Sequence, residues 1–301
     1  MDDIKQLINI QNRVYVRQIK KISKMVLKSE LIDECKNNLY MAGDLLVDII
    51  KVLKDNKVNI ALISLRNIYE MILKGIVLDQ SEEIRKSYNE IVKDKEKDTM
   101  KEVRNFIGEN YNCYFKTIEN DPIIKEIYGK GILSYIHDNL CKYSHATKVN
   151  ETIYIIGNKE ENKKIFNIYI NMFLIQPIIL MYIDAVCTKL NIEEVADDIC
   201  AIYGINMLNI FNKLFVYQDK IKILNEYING FIGKQNVLLS NTIDNERTMI
   251  NYFVQQINIE IKNNKLDKEE LKLLNELLKK CFTQKELEGY KEIMFKNKKW
   301  V

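Results

Sequence analysis

The sequence predicts an all-α protein, and three observations carry that prediction. The 301 residues include two prolines (Pro122, Pro177) and ten glycines, too little punctuation for an architecture of many tight turns. Apolar residues recur at the three-and-four spacing of helices in most segments. Patterns typical of helix starts stand ahead of several of them. Period-two alternation occurs weakly in one place, "ETIYIIG" (151–157), which allows at most one short strand or β-hairpin.

In chain order, Ile8, Tyr15, Ile19, Ile22 and Val26 fall on one face of a first helix. A second carries Ala42, Leu45, Leu46, Ile49, Ile50 and Leu53 as its apolar stripe. The turn "KDNKVN" (54–59) leads into a third, residues 60–78, apolar nearly all round except for Arg66, Asn67, Glu70 and Lys74. Such a helix is expected to lie centrally. Residues 81–105 are dense in charges of both signs, the mark of an exposed helix or helix pair. Asp121 and Pro122 suit the start of another helix, which Gly129 and Gly131 end. Residues 132–146 then place Ile132, Ile136, Leu140 and Tyr143 on a buried face, and 161–189 is helical again. Asn191 with Glu194 reads as a helix cap, and Asp267 with Glu270 and Thr283 with Glu286 as capping boxes. The texture changes near 190. The expected division is a helical bundle over 1–190 and a helical C-terminal domain of unknown role over 191–301.

Bulk composition bounds the function. With 47% hydrophobic and 29% charged residues, the chain has ample material for a core. Its net charge of +3 is too small to argue for nucleic acid by itself. Charge is more concentrated locally: Lys5, Arg13, Arg17, Lys20, Lys21, Lys24 and Lys28 oppose only Asp2 and Asp3 in the first 28 residues. A basic stripe of this kind can hold phosphate, and equally can be a solvated face. Six cysteines without regular spacing argue against a disulfide framework or zinc ribbon and for a cytoplasmic protein. The charged N-terminus does not read as a signal peptide. The apolar stretch 165–186 contains Asn167, Asn171, Gln176, Pro177 and Asp184, so a core helix kinked or started at Pro177 is a better reading than a membrane span. The richness in Ile, Asn and Lys is the codon signature of an AT-rich genome, bacterial or phage.

Phosphate-binding loops, the dinucleotide fingerprint and the nucleophile elbow are all absent, so no nucleotide cofactor is implied. Two histidines, His137 and His145, cannot build a triple-histidine metal centre. Both lie in "HDNLCKYSHAT" (137–147). On a helix they stand about 12 Å apart along the axis, too far for one ion. His137 and Cys141 are one turn apart and could share a metal, but two ligands leave a closed site incomplete, so no metal is expected. Arg66, one of six arginines, lies in the most apolar helix one turn before Glu70. Such a pair either edges a narrow wet stripe or presents a guanidinium to phosphate.

"LISLRNIYEMILKGIVL" followed some seventy residues later by "LCKYSHAT" resembles a group of helical bacterial proteins, the HEPN domains and abortive-infection proteins, over roughly residues 35–190. Those families pair an apolar Arg-x-x-x-Glu helix with a helix ending in Ser-His. The resemblance implies a HEPN-like bundle that dimerises and an antiviral defence or toxin-type effector acting on RNA, in active members a metal-independent ribonuclease. On this sequence it implies His145 as general acid/base, Arg66 or Lys142 as phosphate clamp, and Glu70 and Ser144 as orienting residues. Arg13, Arg17, Lys20, Lys21 and Lys24 would hold the RNA backbone. The chain departs from the active pattern: six residues before His145 stands Asn139 rather than Arg. The alternative is a non-enzymatic helical scaffold that self-associates and binds RNA or a protein partner.

Overall fold

In a computed structural model, the structure describes residues 2–54, 58–78, 99–109, 171–214 and 268–294, together with 85–86, 89–90, 93, 114–115, 133, 136–137, 140–141, 164 and 167–168. Among these residues the fold is all-α and contains no strand. The helices are α1 (Asp2–Lys28), α2 (Asp33–Lys54), α3 (Val58–Leu78), α4 (Thr99–Glu109), α5 (Gln176–Leu190), α6 (Glu193–Leu214), α7 (Lys268–Cys281) and α8 (Gln284–Met294), with a single π-helical turn over Asn171–Ile175. The alternating segment 151–157 and the helix start at Asp121 and Pro122 lie outside the described residues.

The chain divides into two compact units, Tyr15–Cys200 and Met1–Val14 with Ala201–Val301. One boundary between the units falls between Cys200 and Ala201, the other between Val14 and Tyr15. Pattern alone does not foresee that the first fourteen residues group with the C-terminal segment, because α1 runs unbroken through Val14 and Tyr15.

The unit of residues 15–200 is built on α2 and α3, which pack along one another with Gly75 of α3 against Leu39 of α2. The α2 stripe is inward as expected: Ala42, Leu46, Ile49 and Ile50 are buried, with Leu45 and Leu53 half-buried. On α1, Tyr15, Ile19, Ile22 and Val26 are completely buried. The central helix of this unit is α5 rather than α3. Every residue from Ile178 to Thr188 is buried, whereas α3 turns Ile60 and Ile63 to solvent, each more than half exposed. Uniform hydrophobicity therefore overstates how α3 is enclosed.

Pro177 explains how α5 begins. A proline inside an α-helix removes one hydrogen bond, and its ring strikes the carbonyl four residues back. Here the preceding turn is widened to π geometry, which moves that carbonyl away, and Pro177 falls in the first turn of α5. The wide turn also brings side chains five apart together: the Gln176 amide donates to Asn171 Oδ1 at 2.9 Å, both groups buried. At the other end Asn191 adopts φ 53° and closes α5, its N–H on Thr188 O and the N–H of Ile192 on Cys187 O. This is a Schellman closure. It corrects the expectation for Asn191, which ends the preceding helix rather than capping the next; asparagine suits both positions because it tolerates the left-handed conformation.

Three helices of this unit meet at one polar point. Ser23 Oγ of α1 and Tyr182 Oη of α5 share a buried hydrogen bond of 2.8 Å directly over Gly43 of α2. Burial pushes the Tyr182 phenol above its ordinary value, with the Ser23 bond opposing. One turn on, burial first and then Asp184 and Glu193 push the Cys187 thiol from 9.0 up to about 12. Both groups are held neutral, so their contribution to stability is whole below about pH 9 and is lost as pH rises toward 12. Urea midpoints measured across that window are expected to fall steadily for the wild type and less steeply for Cys187→Ala. Parallel slopes in the two proteins would contradict the assignment.

In the other unit the Thr283–Glu286 capping box is formed: Glu286 Oε2 accepts from Thr283 N–H at 3.0 Å, and Thr283 Oγ1 from Glu286 N–H at 3.4 Å. The second carboxylate oxygen pairs with Arg13 Nε at 3.5 Å. Glu286 thus fixes the start of α8 and ties α8 to α1. Asp267, the expected cap of α7, lies outside the described residues.

Among the described residues no helix is long and apolar enough to cross a membrane. Within the suspect stretch 165–186, Gln176 donates to Asn171 and Asp184 is fully buried in protein.

Candidate functional site

Two surfaces carry the residues singled out by the sequence. The first is the wet side of α3. Arg66 and Glu70 are one turn apart and form an ion pair, Nε to Oε1 at 3.2 Å, with side chains 36% and 21% exposed. Asn67 is exposed, Ser64 and Lys74 are half-buried, and the Ser64 hydroxyl donates to Ile60 O. The pair therefore stands on a partly shielded stripe, where the guanidinium is oriented by its own helix. A pair of this kind contributes about 0.2–1 kcal/mol, so its value lies in fixing the arginine rather than in holding the fold.

Beside this stripe, Tyr69 reaches across to the segment that carries the histidines. Its hydroxyl donates to the Leu133 carbonyl at 2.7 Å, and its ring lies 6.5 Å from the His137 ring, tilted by 46°. Residues 133, 136, 137, 140 and 141 are helical, with Leu133, Ile136 and Leu140 buried. That is the inward face expected for 132–146. His137 and Cys141 occupy its half-buried flank. The Cys141 sulfur is 3.5 Å from His137 Nε2 and 3.7 Å from Nδ1. Tyr69 was not singled out by the sequence, since a tyrosine on an apolar helix reads as core; the offset of one residue from Glu70 was the available signal that it borders the stripe.

His145, Lys142 and Ser144 lie outside the described residues, as do Ile132, Ser134, Asn139 and Tyr143. Of the five residues proposed for catalysis, the structure thus places Arg66 and Glu70, and brings those two together. Among the described residues no group of three His, Cys, Asp or Glu side chains is positioned to hold a metal ion.

The second surface is the outer face of α1. Lys20, Lys21, Lys24 and Lys28 are exposed, and Arg17 is half-buried and engaged by a partner. Lys20, Lys24 and Lys28 recur every fourth residue, so they form one row about 12 Å long. No carboxylate lies between Asp3 and Glu30 in the sequence. Leu27, 47% exposed, is the apolar residue bordering the row. Arg13, expected to join these cations, instead spends its Nε on the buried Glu286, though half its side chain is exposed.

No protein-family model, curated protein or solved structure matches the chain. The fold and its surfaces define the class, an all-α protein with a lysine row on one helix and a fixed Arg–Glu pair on another.

Proposed function

We propose that this chain is a cytoplasmic RNA-binding effector of the defence or toxin type that holds the phosphate backbone along α1. The observation that carries this reading is the row Lys20, Lys24, Lys28, flanked by Lys21, exposed and without a carboxylate on its helix from Asp3 onward. Four adjacent ammonium groups repel one another, and the arrangement is relieved when a polyanion displaces the counterions. Phosphate contacts of this type carry no base sequence information, so binding is expected to be sequence-tolerant. The test is fluorescence anisotropy of a labelled single-stranded RNA on the full chain and on the variant Lys20→Glu/Lys24→Glu/Lys28→Glu. Equal affinity of the two proteins would sink the proposal.

The ribonuclease form of this reading is favoured by one observation. Through Tyr69, the helix that holds Arg66 and Glu70 is packed against the helix carrying His137 and Cys141, the neighbourhood from which the segment 142–145 continues. In that form His145 exchanges the proton with the ribose hydroxyl or the leaving oxygen, and Arg66 or Lys142 balances the charge on phosphorus, with Glu70 and Ser144 orienting. RNA incubated with EDTA is then cut by the wild type and left intact by His145→Ala. Identical digestion patterns would leave α1 binding as the whole activity. Self-association, where it occurs, has the exposed pair Ile60 and Ile63 of α3 as an apolar surface to cover.

A further inference from the structure

Five cysteines are described, none of them in a disulfide, and they divide sharply by environment. Cys35, Cys187 and Cys281 are buried. Burial leaves the first two with no exposed surface at all, and it pushes the Cys187 thiol up to about 12. A thiol so placed is a poor nucleophile, since the reacting species is the thiolate. Cys141 and Cys200 are half-buried, within reach of small reagents. Of these two, Cys141 has an imidazole against its sulfur, with either ring nitrogen of His137 inside sulfur hydrogen-bonding range.

The helix dictates that meeting. Residues four apart stand one above the other, so His137 lies one turn below Cys141 on the same flank. Rotation of the imidazole is limited by the Tyr69 ring beside it, and Tyr69 is itself anchored through its hydroxyl to Leu133 O. The pair is thus held on one side by α3 and open to solvent on the other. Neither residue has a part in the RNA reading above.

We propose that Cys141 and His137 form a thiol–imidazole pair that makes Cys141 the preferred site of covalent modification among the described cysteines, by hydroperoxides and by soft carbon electrophiles. With a hydroperoxide the step balances as follows. The sulfur attacks one peroxide oxygen, the S–O bond forms as the O–O bond breaks, and Cys141 becomes a sulfenic acid. The thiol proton passes to His137 and from there to the departing oxygen, which leaves as water or an alcohol. Sulfur loses two electrons, the peroxide gains them, and the imidazole ends neutral, ready to act again. The sulfenic acid then stands against His137, whose ring neighbours Tyr69 of α3.

Cys200, equally half-buried, is an internal reference for accessibility. The native full chain is treated with limiting iodoacetamide, and in parallel with hydrogen peroxide and dimedone, and each cysteine peptide is quantified by mass spectrometry. Cys141 is expected to react about tenfold faster than Cys200, less than the roughly hundredfold at which the contribution of a base positioned in an active site begins. His137→Asn is expected to bring the two rates within about twofold while leaving Cys200 unchanged. Continued protection of Cys35 and Cys187 reports that the variant is folded; if it is not, the wild-type ratio alone decides. Cys141 reacting no faster than Cys200, or equally fast without the imidazole in a folded variant, overturns the proposal.

Discussion

Gly43→Ala lowers the stability of the protein, although alanine is the better helix former. In an unobstructed helix the exchange gains about 1 kcal/mol. At Gly43 the new methyl group would overlap Ser23 Oγ and Tyr182 Oη and stand 2.9 Å from Tyr182 Cζ. Ser23 can turn away, but the tyrosine is fully buried and cannot retreat without moving α5. Overpacking of this kind costs about 1–3 kcal/mol, and breaking the shared hydrogen bond strands a buried hydroxyl at about 1–3 kcal/mol more. The expected net loss is about 2–4 kcal/mol, read as a lower urea midpoint by circular dichroism. Gly289 of α8 is the control: a methyl there meets only Ile10 Cδ1 at 3.7 Å, an ordinary contact, so Gly289→Ala keeps the helix gain. Adding Tyr182→Phe to Gly43→Ala removes the obstructing oxygen and recovers part of the loss, a non-additivity expected only of groups in contact. An unchanged or raised midpoint in Gly43→Ala alone would mean that α1, α2 and α5 do not meet as tightly as Ser23, Gly43 and Tyr182 require.

That junction marks where reading the sequence stops. Periodicity located α1 and α2 with the right inward faces, because burying one stripe of each is what those patterns are for, whereas α3, apolar nearly all round, gave its span but not its face. It identified Pro177 as a helix kink or start and Thr283 with Glu286 as a capping box, since both are local chemistry within four residues. It missed what depends on partners far away. Ser23 and Tyr182 are 159 residues apart, and nothing in "KISKM" or "LMYID" says that one hydroxyl meets the other. The assignment of residues 1–14 to the C-terminal unit is hidden for the same reason, because the Arg13–Glu286 pair joins opposite ends of the chain. Asn191 shows a local ambiguity instead: one residue type serves two kinds of helix end, and only φ decides.

The candidate site divides along the same line. Arg66 and Glu70 are legible as a pair because four residues make one helical turn, and the structure has them bonded. Their neighbour across the bundle is not legible: Tyr69 reaches Leu133 over 64 residues of separation. The lysine row was visible as charge, yet the sequence could not tell which cations would be engaged elsewhere. Arg13 is taken up by a carboxylate from α8 that no local pattern announces.

Salt dependence separates a phosphate-binding row from a face that is merely solvated. Each phosphate neutralised on a single strand contributes about −0.7 to the slope of log affinity against log salt. If Lys20, Lys21, Lys24 and Lys28 each neutralise one, the slope is about −2.8, and affinity for single-stranded RNA falls about fiftyfold between 50 and 200 mM salt. Reversing Lys20, Lys24 and Lys28 leaves only the flanking Lys21, so the residual slope is about −0.7 or shallower. Net charge alone would also weaken binding, and a second triple variant isolates that effect. Lys54, Lys272 and Lys279 are exposed on α2 and α7, and their reversal to glutamate changes the net charge equally without touching α1. A protein that merely attracts RNA by its overall charge loses the same affinity and slope in both variants. A protein that seats the backbone on α1 keeps most of its slope in the scattered variant and loses it in the row variant, because counterion release counts only the phosphates actually neutralised.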